Sequence, residues 1–339
     1  MPASTDAILP VLAITLGDPS GTGPELITKA LALPEIRAIC RPLVVGDAAV
    51  LQASLRYTGV TLKVHSCKEP SEATFALDTI DVLDLRNVDL AKLELGKVSA
   101  MAGKAAYEAV KIAAELALAG KVGAIVTSAL NKAAMNQAGY HYDGHTGLLA
   151  EVCKSPGATM MLAADKLRVS HVSTHVPLRV AVDRVRPERI LKVLRLTNDA
   201  VKNLGVAKPK IAVAGLNPHA GENGLFGDEE QKYITPAIEE ARREGIDVTG
   251  PYAGDTIFFR CSQGEFDAGV AMYHDQGHVA AKMLGIWRGV NVTLGLPIIR
   301  TSVEHGTDFP NAGTGRGDPR SLVEAIKLAT IMARHRKTI

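Results

Sequence analysis

Short apolar runs, each closed by a small or polar turn and followed by a helical period, recur along this chain and restrict it to one broad class of fold. Val11-Leu12-Ala13-Ile14-Thr15-Leu16 runs into Gly17-Asp18-Pro19-Ser20-Gly21-Thr22-Gly23-Pro24-Glu25 and then an apolar-periodic helix to about Leu33. Pro24 suits the first turn of that helix, where its missing N–H costs nothing. Leu43-Val44-Val45 before Gly46-Asp47, Ile80 to Leu85, and Gly123 to Thr127 behind an alanine-rich helix from Lys97 to Leu118 repeat the unit. This alternation predicts an α/β protein with parallel sheets flanked by helices. At 339 residues the chain exceeds what one core usually organises, so two domains are expected.

Three histidines follow such runs. His175 lies in Ser173-Thr174-His175-Val176-Pro177-Leu178-Arg179, His219 in Leu216-Asn217-Pro218-His219-Ala220-Gly221-Glu222, and His274 in Ala271-Met272-Tyr273-His274-Asp275-Gln276-Gly277-His278. Ligands of open α/β sheets bind at the carboxyl ends of strands, which is where these imidazoles are expected. Three imidazoles from three strand ends make a divalent-metal site with an open position; taken singly, each is equally a satisfied loop histidine. His171 and His175, four apart, would be a zinc pair on a helix. The β-branched run Leu167 to His175 reads instead as a strand, on which they lie about 13 Å apart, and His171 is taken as structural.

The bulk numbers exclude several classes. With 47% apolar and 22% charged residues and a net charge of +2, the chain carries no nucleic-acid or membrane signal. Four scattered cysteines without a Cys-x-x-Cys pair fit a reduced, cytoplasmic protein. Met1 to Leu16 lacks a basic start and is broken by Pro10, so it does not read as a signal peptide. The turn Gly17 to Glu25 lacks the third glycine of a dinucleotide fingerprint and is followed by no Gly-Lys-Ser/Thr; it reads as a tight βα turn.

Further along, Ser128 to Thr146 is polar and small, a helix and loop over a cleft. Pro187 to Leu204 is an amphipathic helix, Lys210 to Gly215 a strand, Asn217 to Asp228 a long polar loop, and Glu229 to Glu244 a helix. Asp255 opens another helix and would serve as its N-cap. Arg300 closes the apolar run Pro297-Ile298-Ile299, which points to an anionic partner.

AMYHDQGH, STHVPLR and LNPHAGE, with GDPSGTGPE near the start and IIRTS and EHGT near the end, resemble the 4-hydroxythreonine-4-phosphate dehydrogenase family in order and over nearly the whole chain. The resemblance implies two α/β/α domains with a cleft between them, similar to isocitrate and isopropylmalate dehydrogenases. The first would be 1–128 plus 303–339 on the cofactor side, the second 129–302, carrying the metal, the substrate and the dimer contact. It also implies that His175, His219 and His274 hold one divalent metal ion (Zn, Mg, Mn, Co or Ni), that His145, Thr146, Lys282, Asn291 and Arg300 contact substrate, and that Asp255, Asp275 and Lys282 serve catalysis. His305, Gly306 and Thr307, with Gly313, Gly315 and Asp318, are similar to the family's adenosine-binding loop; the cofactor the resemblance implies is NAD, with NADP as the alternative. Gly147 stands where the family has Glu, and Thr314 where Arg or Lys is common.

The activity implied is NAD-dependent oxidation and decarboxylation of a four-carbon 3-hydroxy acid 4-phosphate. VSTH, GENGLFGDEE and QGH lean toward the branch acting on D-threonate or D-erythronate 4-phosphate, with the 4-hydroxy-L-threonine 4-phosphate enzyme of pyridoxal phosphate biosynthesis as the alternative. A non-catalytic metal- or nucleotide-binding protein is the alternative of another class. The resemblance further implies a homodimer with shared active sites, in which His175 and His219 come from one subunit and His274 from its partner.

Overall fold

The computed structural model describes residues 9–285 and 289–336. Its strands are β1 Val11–Thr15, β2 Arg41–Gly46, β3 Lys63–Cys67, β4 Thr79–Asp84, β5 Ala124–Thr127, β6 Thr159–Ala164, β7 Leu167–His171, β8 Lys210–Ala214, β9 Asp247–Tyr252, β10 Ala268–Ala271, β11 Val290–Leu294 and β12 Arg300–Val303. The chain divides into two compact units. One runs to Pro156 and resumes over Leu296–Arg334; the other is Gly157–Gly295, joined by His335. These divisions fall later and earlier in the chain than 128/129 and 302/303, so His145, Thr146 and Arg300 belong to the first unit.

In the first unit the strands lie in the order β3-β4-β2-β1-β5-β12, all neighbours parallel. Parallel order requires crossovers, and the sequence supplies capped helices for them. Asp47 accepts from the N–H groups of Ala49 and Val50 to start the helix Ala48–Thr58, and Ser99 caps the helix Ala100–Leu118. The latter buries Ala109, Ala113, Ala114 and Ala117 in a core that includes Leu43, Val45 and Ile125. The helix Arg320–His335 also packs here, its Ala325 carbonyl accepting from the buried Thr301 hydroxyl.

The second unit has the order β11-β6-β7-β10-β8-β9. Here the expectation of parallel pairing holds except at β6, which runs antiparallel to both β11 and β7. A two-residue hairpin with Asp165 in the left-handed region (φ 51°) reverses the chain between β6 and β7. Two further expectations need correction. β7 stops at His171, so His175 lies in the bend beyond it and the two do not share a strand. The N-cap of the helix Gly254–Ser262 is Ala253, and Asp255 stands inside the first turn, where a carboxylate still suits the helix dipole.

Candidate functional site

β7, β10 and β8 are adjacent and parallel, and they end at His171, Ala271 and Ala214, so the segments carrying His175, His274 and His219 leave the same edge of the sheet. His274 opens the helix His274–Met283, and its ring lies 5.4 Å from that of His175. Its Nδ1 is 2.6 Å from Asp275 Oδ1, and that hydrogen bond holds the exposed carboxyl below its ordinary pKa. A proton kept on Nδ1 leaves the lone pair of His274 on Nε2. The two imidazoles and Asp275 line a pocket of about 460 Å³ with Thr174, Pro177 and Tyr273.

His219 does not join them. Its Nδ1 lies 3.1 Å from Glu222 Oε2, its ring stands edge-on to Phe226, and its side chain is 65% exposed in a separate pocket of about 660 Å³. The backbone is left-handed at His219, Ala220, Glu222 and Asn223, a costly run of the kind found at ligand-binding loops. Buried Glu230 holds the base of this loop, accepting from the N–H groups of Leu216 and Asn217 at 2.7 Å each. Among the described residues, the three histidines do not gather within coordination distance in one chain. The pair that meets is His175 with His274, whereas the resemblance had paired His175 with His219.

The helix His274–Met283 carries more than its first residue. Gln276 accepts from Met272 N–H and donates to the Gly215 carbonyl, both at 2.7 Å, tying the end of β10 to the end of β8. His278 stacks on His274, and its Nδ1 lies 3.1 Å from Nε2 of buried His171. Burial holds His278 down to about 4 and His171 to about 3, so both are neutral at physiological pH. Reading His274 as part of a turn hid the helical i, i+4 spacing that brings His278 to it. Lys282 lies a further turn along the same helix, exposed. Asp255 and Asp275 line one cleft of about 680 Å³, beside Phe258, Tyr273 and Gln276. Asn291, on β11, points Nδ2 at Met160 Sδ, and its Oδ1 is buried with no hydrogen-bond partner.

In the first unit, Arg300 is 2% exposed and donates through Nε and Nη2 to Thr127 Oγ1. Burial lowers its pKa to about 9, so it remains cationic at neutral pH. His145 opens the helix His145–Val152, with Thr146 beside it in the first turn. Its Nε2 is enclosed with no partner, and enclosure together with the Arg300 charge holds the imidazole well below its ordinary pKa. Ser20 Oγ, Ser128 Oγ and Asp18 Oδ2 are likewise buried without a partner. Burial pushes the Asp18 carboxyl up to about 6, although its Oδ1 accepts from Ser20 N–H at 2.8 Å. An unpaired imidazole nitrogen near a buried cation suits a polar, anionic ligand.

The glycine-rich turn at Gly17 to Glu25 proves to be a platform for the distant 305–318 segment. Thr22 N–H donates to the Thr307 carbonyl at 3.0 Å, and a Cβ on Gly21 would fall 2.7 Å from that same oxygen. Lys29 Nζ donates to the carbonyls of Gly315 and Gly317 at 2.5 and 2.8 Å. The buried Glu25 carboxylate faces the N–H groups of Gly317, Gly313 and Gly315, while burial raises its pKa. Gly315 has φ 69° and sits so close to Tyr57 that a Cβ would lie 2.1 Å from its carbonyl oxygen. Asp318 pairs with Arg320, His305 Nδ1 lies 2.8 Å from the Gly306 carbonyl, and a Cβ on Gly306 would meet nothing within 4 Å. Glu25 and Lys29 were not among the expected site residues; their partners lie some 290 positions away, beyond any local pattern.

One other group has ligand-like spacing among the described residues: His65, Cys67 and Asp81 on β3 and β4. The Asp81 oxygens already take His65 Nδ1, the N–H groups of Thr74 and Phe75, and the Thr74 hydroxyl, which accounts for the cluster as the anchor of the 74–75 turn. All four cysteines are free and buried. Among the described residues no helix is long and apolar enough to cross a membrane.

Residues 38–329 match the family model described as pyridoxal phosphate biosynthetic protein PdxA. A D-threonate 4-phosphate dehydrogenase of Cupriavidus necator is 47% identical over 97% of this chain and 98% of its own. A crystal structure of a 4-hydroxythreonine-4-phosphate dehydrogenase from Burkholderia phymatum superposes with TM-score 0.88 at 45% identity, covering 96% of this chain and 99% of that one. A terephthalate 1,2-cis-dihydrodiol dehydrogenase from Burkholderia xenovorans is more distant, at TM-score 0.70 and 30% identity over 96% and 98%. With the α/β fold and the motif residues placed as described, the chain belongs to the PdxA family, whose relatives named here are dehydrogenases.

Proposed function

We propose that this protein oxidises a four-carbon 3-hydroxy acid 4-phosphate with NAD and a divalent metal ion, and then decarboxylates the product, with D-threonate 4-phosphate or its erythronate epimer as substrate. In that reaction a hydride leaves C3 for the nicotinamide and the hydroxyl proton leaves to a base. The resulting β-keto acid loses carbon dioxide, and C2 takes up a proton. The observation that carries the substrate class is the 47% identity, over nearly the full length, to a relative named for D-threonate 4-phosphate.

His175 and His274 fit a metal ion: both are imidazoles, their rings face one pocket, and Asp275 fixes the tautomer of His274. His219, exposed on a strained loop, is the third ligand on this reading and reaches the site from a partner subunit. A divalent ion held there would act as a Lewis acid toward the alcohol and the developing enolate oxygen. Asp275 orients His274, and Asp255 and Lys282 serve the proton path. Arg300, with neutral His145 and Thr146 beside it, supplies the buried charge for an anionic group of the substrate, and Asn291 offers an unpaired oxygen to a hydroxyl. The 305–318 segment, held by Lys29 through the Gly315 and Gly317 carbonyls, takes NAD. The exposed apolar side chains of Phe259, Val279, Met283 and Leu284 support a homodimer, and the composition supports a cytoplasmic location.

A second reading, 4-hydroxy-L-threonine 4-phosphate as substrate, is favoured by the 45% identity to the Burkholderia phymatum 4-hydroxythreonine-4-phosphate dehydrogenase. NAD reduction measured against D-threonate, D-erythronate and 4-hydroxy-L-threonine 4-phosphates, with and without chelator, separates the two. Chelator-sensitive turnover of the threonate or erythronate ester is expected. Turnover of the hydroxythreonine ester alone selects the second reading. Turnover of none by folded, metal-loaded protein overturns both in favour of a binding protein.

A further inference from the structure

We propose that His278 is a positioning residue for His274, an imidazole shelf that fixes the ring plane of the metal ligand and is itself locked in place by His171. This rests on the reading of His274 as a ligand. One turn of helix separates the two residues, and their rings stack with centroids 3.7 Å apart and planes within 11°. Asp275 holds His274 by one hydrogen bond at Nδ1, which leaves rotation of the ring about that bond to be restrained by something lying flat on the ring. His278 is that surface.

The shelf has its own fastening. His278 Nδ1 lies 3.2 Å from the His274 carbonyl and 3.1 Å from His171 Nε2. A carbonyl only accepts, so the hydrogen is on Nδ1 of His278, and His171 Nε2 accepts from it. The His171 proton then sits on Nδ1, which is buried and faces the Met160 backbone. His171 so ties the shelf to β7. Gly277 completes the arrangement, because a Cβ there would fall 2.5 Å from His171 Nε2 and 2.6 Å from Val169 Cγ1. Only glycine lets the helix lie this close to β7.

The test uses the full-length protein, stripped of metal and titrated with cobalt(II) against a competing chelator, with melting temperature and visible absorption recorded. His278→Leu is expected to bind cobalt about 10- to 100-fold more weakly, the range for groups that orient ligands, with an altered cobalt spectrum and a cooperative melt that shows the variant folded. His278→Gln, which keeps a donor but no flat ring, should do the same and serves if the leucine variant does not fold. Wild-type affinity and spectrum in a folded variant overturn the proposal. His274→Ala is measured in parallel. If it loses cobalt while His278→Leu does not, the positioning role alone fails; if it binds cobalt as the wild type does, the ligand reading fails too.

Discussion

Arg300 turns two of its guanidinium nitrogens, Nε at 3.1 Å and Nη2 at 2.7 Å, toward the single hydroxyl of Thr127 in a setting closed to water. Burial strips the guanidinium of its hydration, and the lowered pKa records that cost. An anionic substrate group removes it. Arg300→Ala should therefore reduce kcat/KM by roughly 30- to 1,000-fold, corresponding to about 2–4 kcal/mol for a charge-assisted contact in a dry site. Arg300→Lys should recover part of it. Steady-state kinetics on the phosphorylated acid decide, and unchanged constants would assign Arg300 to structure alone.

Asp18 makes stability depend on pH. Folding raises its pKa from 3.8 to about 6, so its contribution is complete below pH 4 and is lost as pH rises through 6. Two pKa units amount to about 3 kcal/mol. Asp18→Asn, which keeps the acceptor for Ser20 N–H, should unfold like the wild type at pH 4 and be the more stable protein at pH 8. Denaturant titrations across that range check it; a gap that does not change with pH would mean Asp18 ionises alike folded and unfolded.

Lys29 anchors the 313–317 segment through two carbonyls. If that segment takes the cofactor, Lys29→Met should raise KM for NAD by about tenfold or more, since each hydrogen bond to a charged group contributes about 1.5–3 kcal/mol and part is recovered by relaxation. KM for the acid should stay put. Equal effects on both constants would point to general loosening of the first unit.

Mixed dimers report which ligands share a chain. With His175 and His274 on one subunit and His219 on the other, a hybrid of His219→Ala and His274→Ala has one complete site and regains activity. A hybrid of His175→Ala and His274→Ala has none and stays inactive. Recovery in both hybrids would restore the division that the family resemblance implied, recovery in the second alone would put His219 and His274 on one chain, and recovery in neither would place all three ligands on one chain.

Gly103 tests the close packing in the first unit. Within a helix, alanine is usually favoured over glycine by about 1 kcal/mol. Here a Cβ would lie 2.1 Å from the carbonyl carbon and oxygen of Ala134. Gly103→Ala should therefore destabilise by about 1–3 kcal/mol, the usual cost of overpacking, instead of stabilising. A raised melting temperature would contradict the contact.

The sequence by itself determined the class of fold and placed the three histidines beyond strand-like runs, although it carried the strand at β7 past His171 and set the cap of the helix Gly254–Ser262 at Asp255 instead of Ala253. The features it fixed are local: an apolar run, a proline in a first turn and glycine after a strand each act through their own neighbours. The reversal of β6 escaped because Thr159–Ala164 is buried throughout, and a uniformly apolar strand carries no mark of its direction. Tertiary structure alone decided which residues meet. Lys29 and Glu25 reach the glycine-rich segment from the other end of the chain, and His171 comes to His278 from a neighbouring strand. It also kept His219 apart from His175 and His274, although all three leave one edge of the sheet. Side-chain direction at a strand end is set by the bend that follows, and at His219 that bend is a left-handed run stabilised by Glu230, fourteen positions from the Leu216 N–H that it binds.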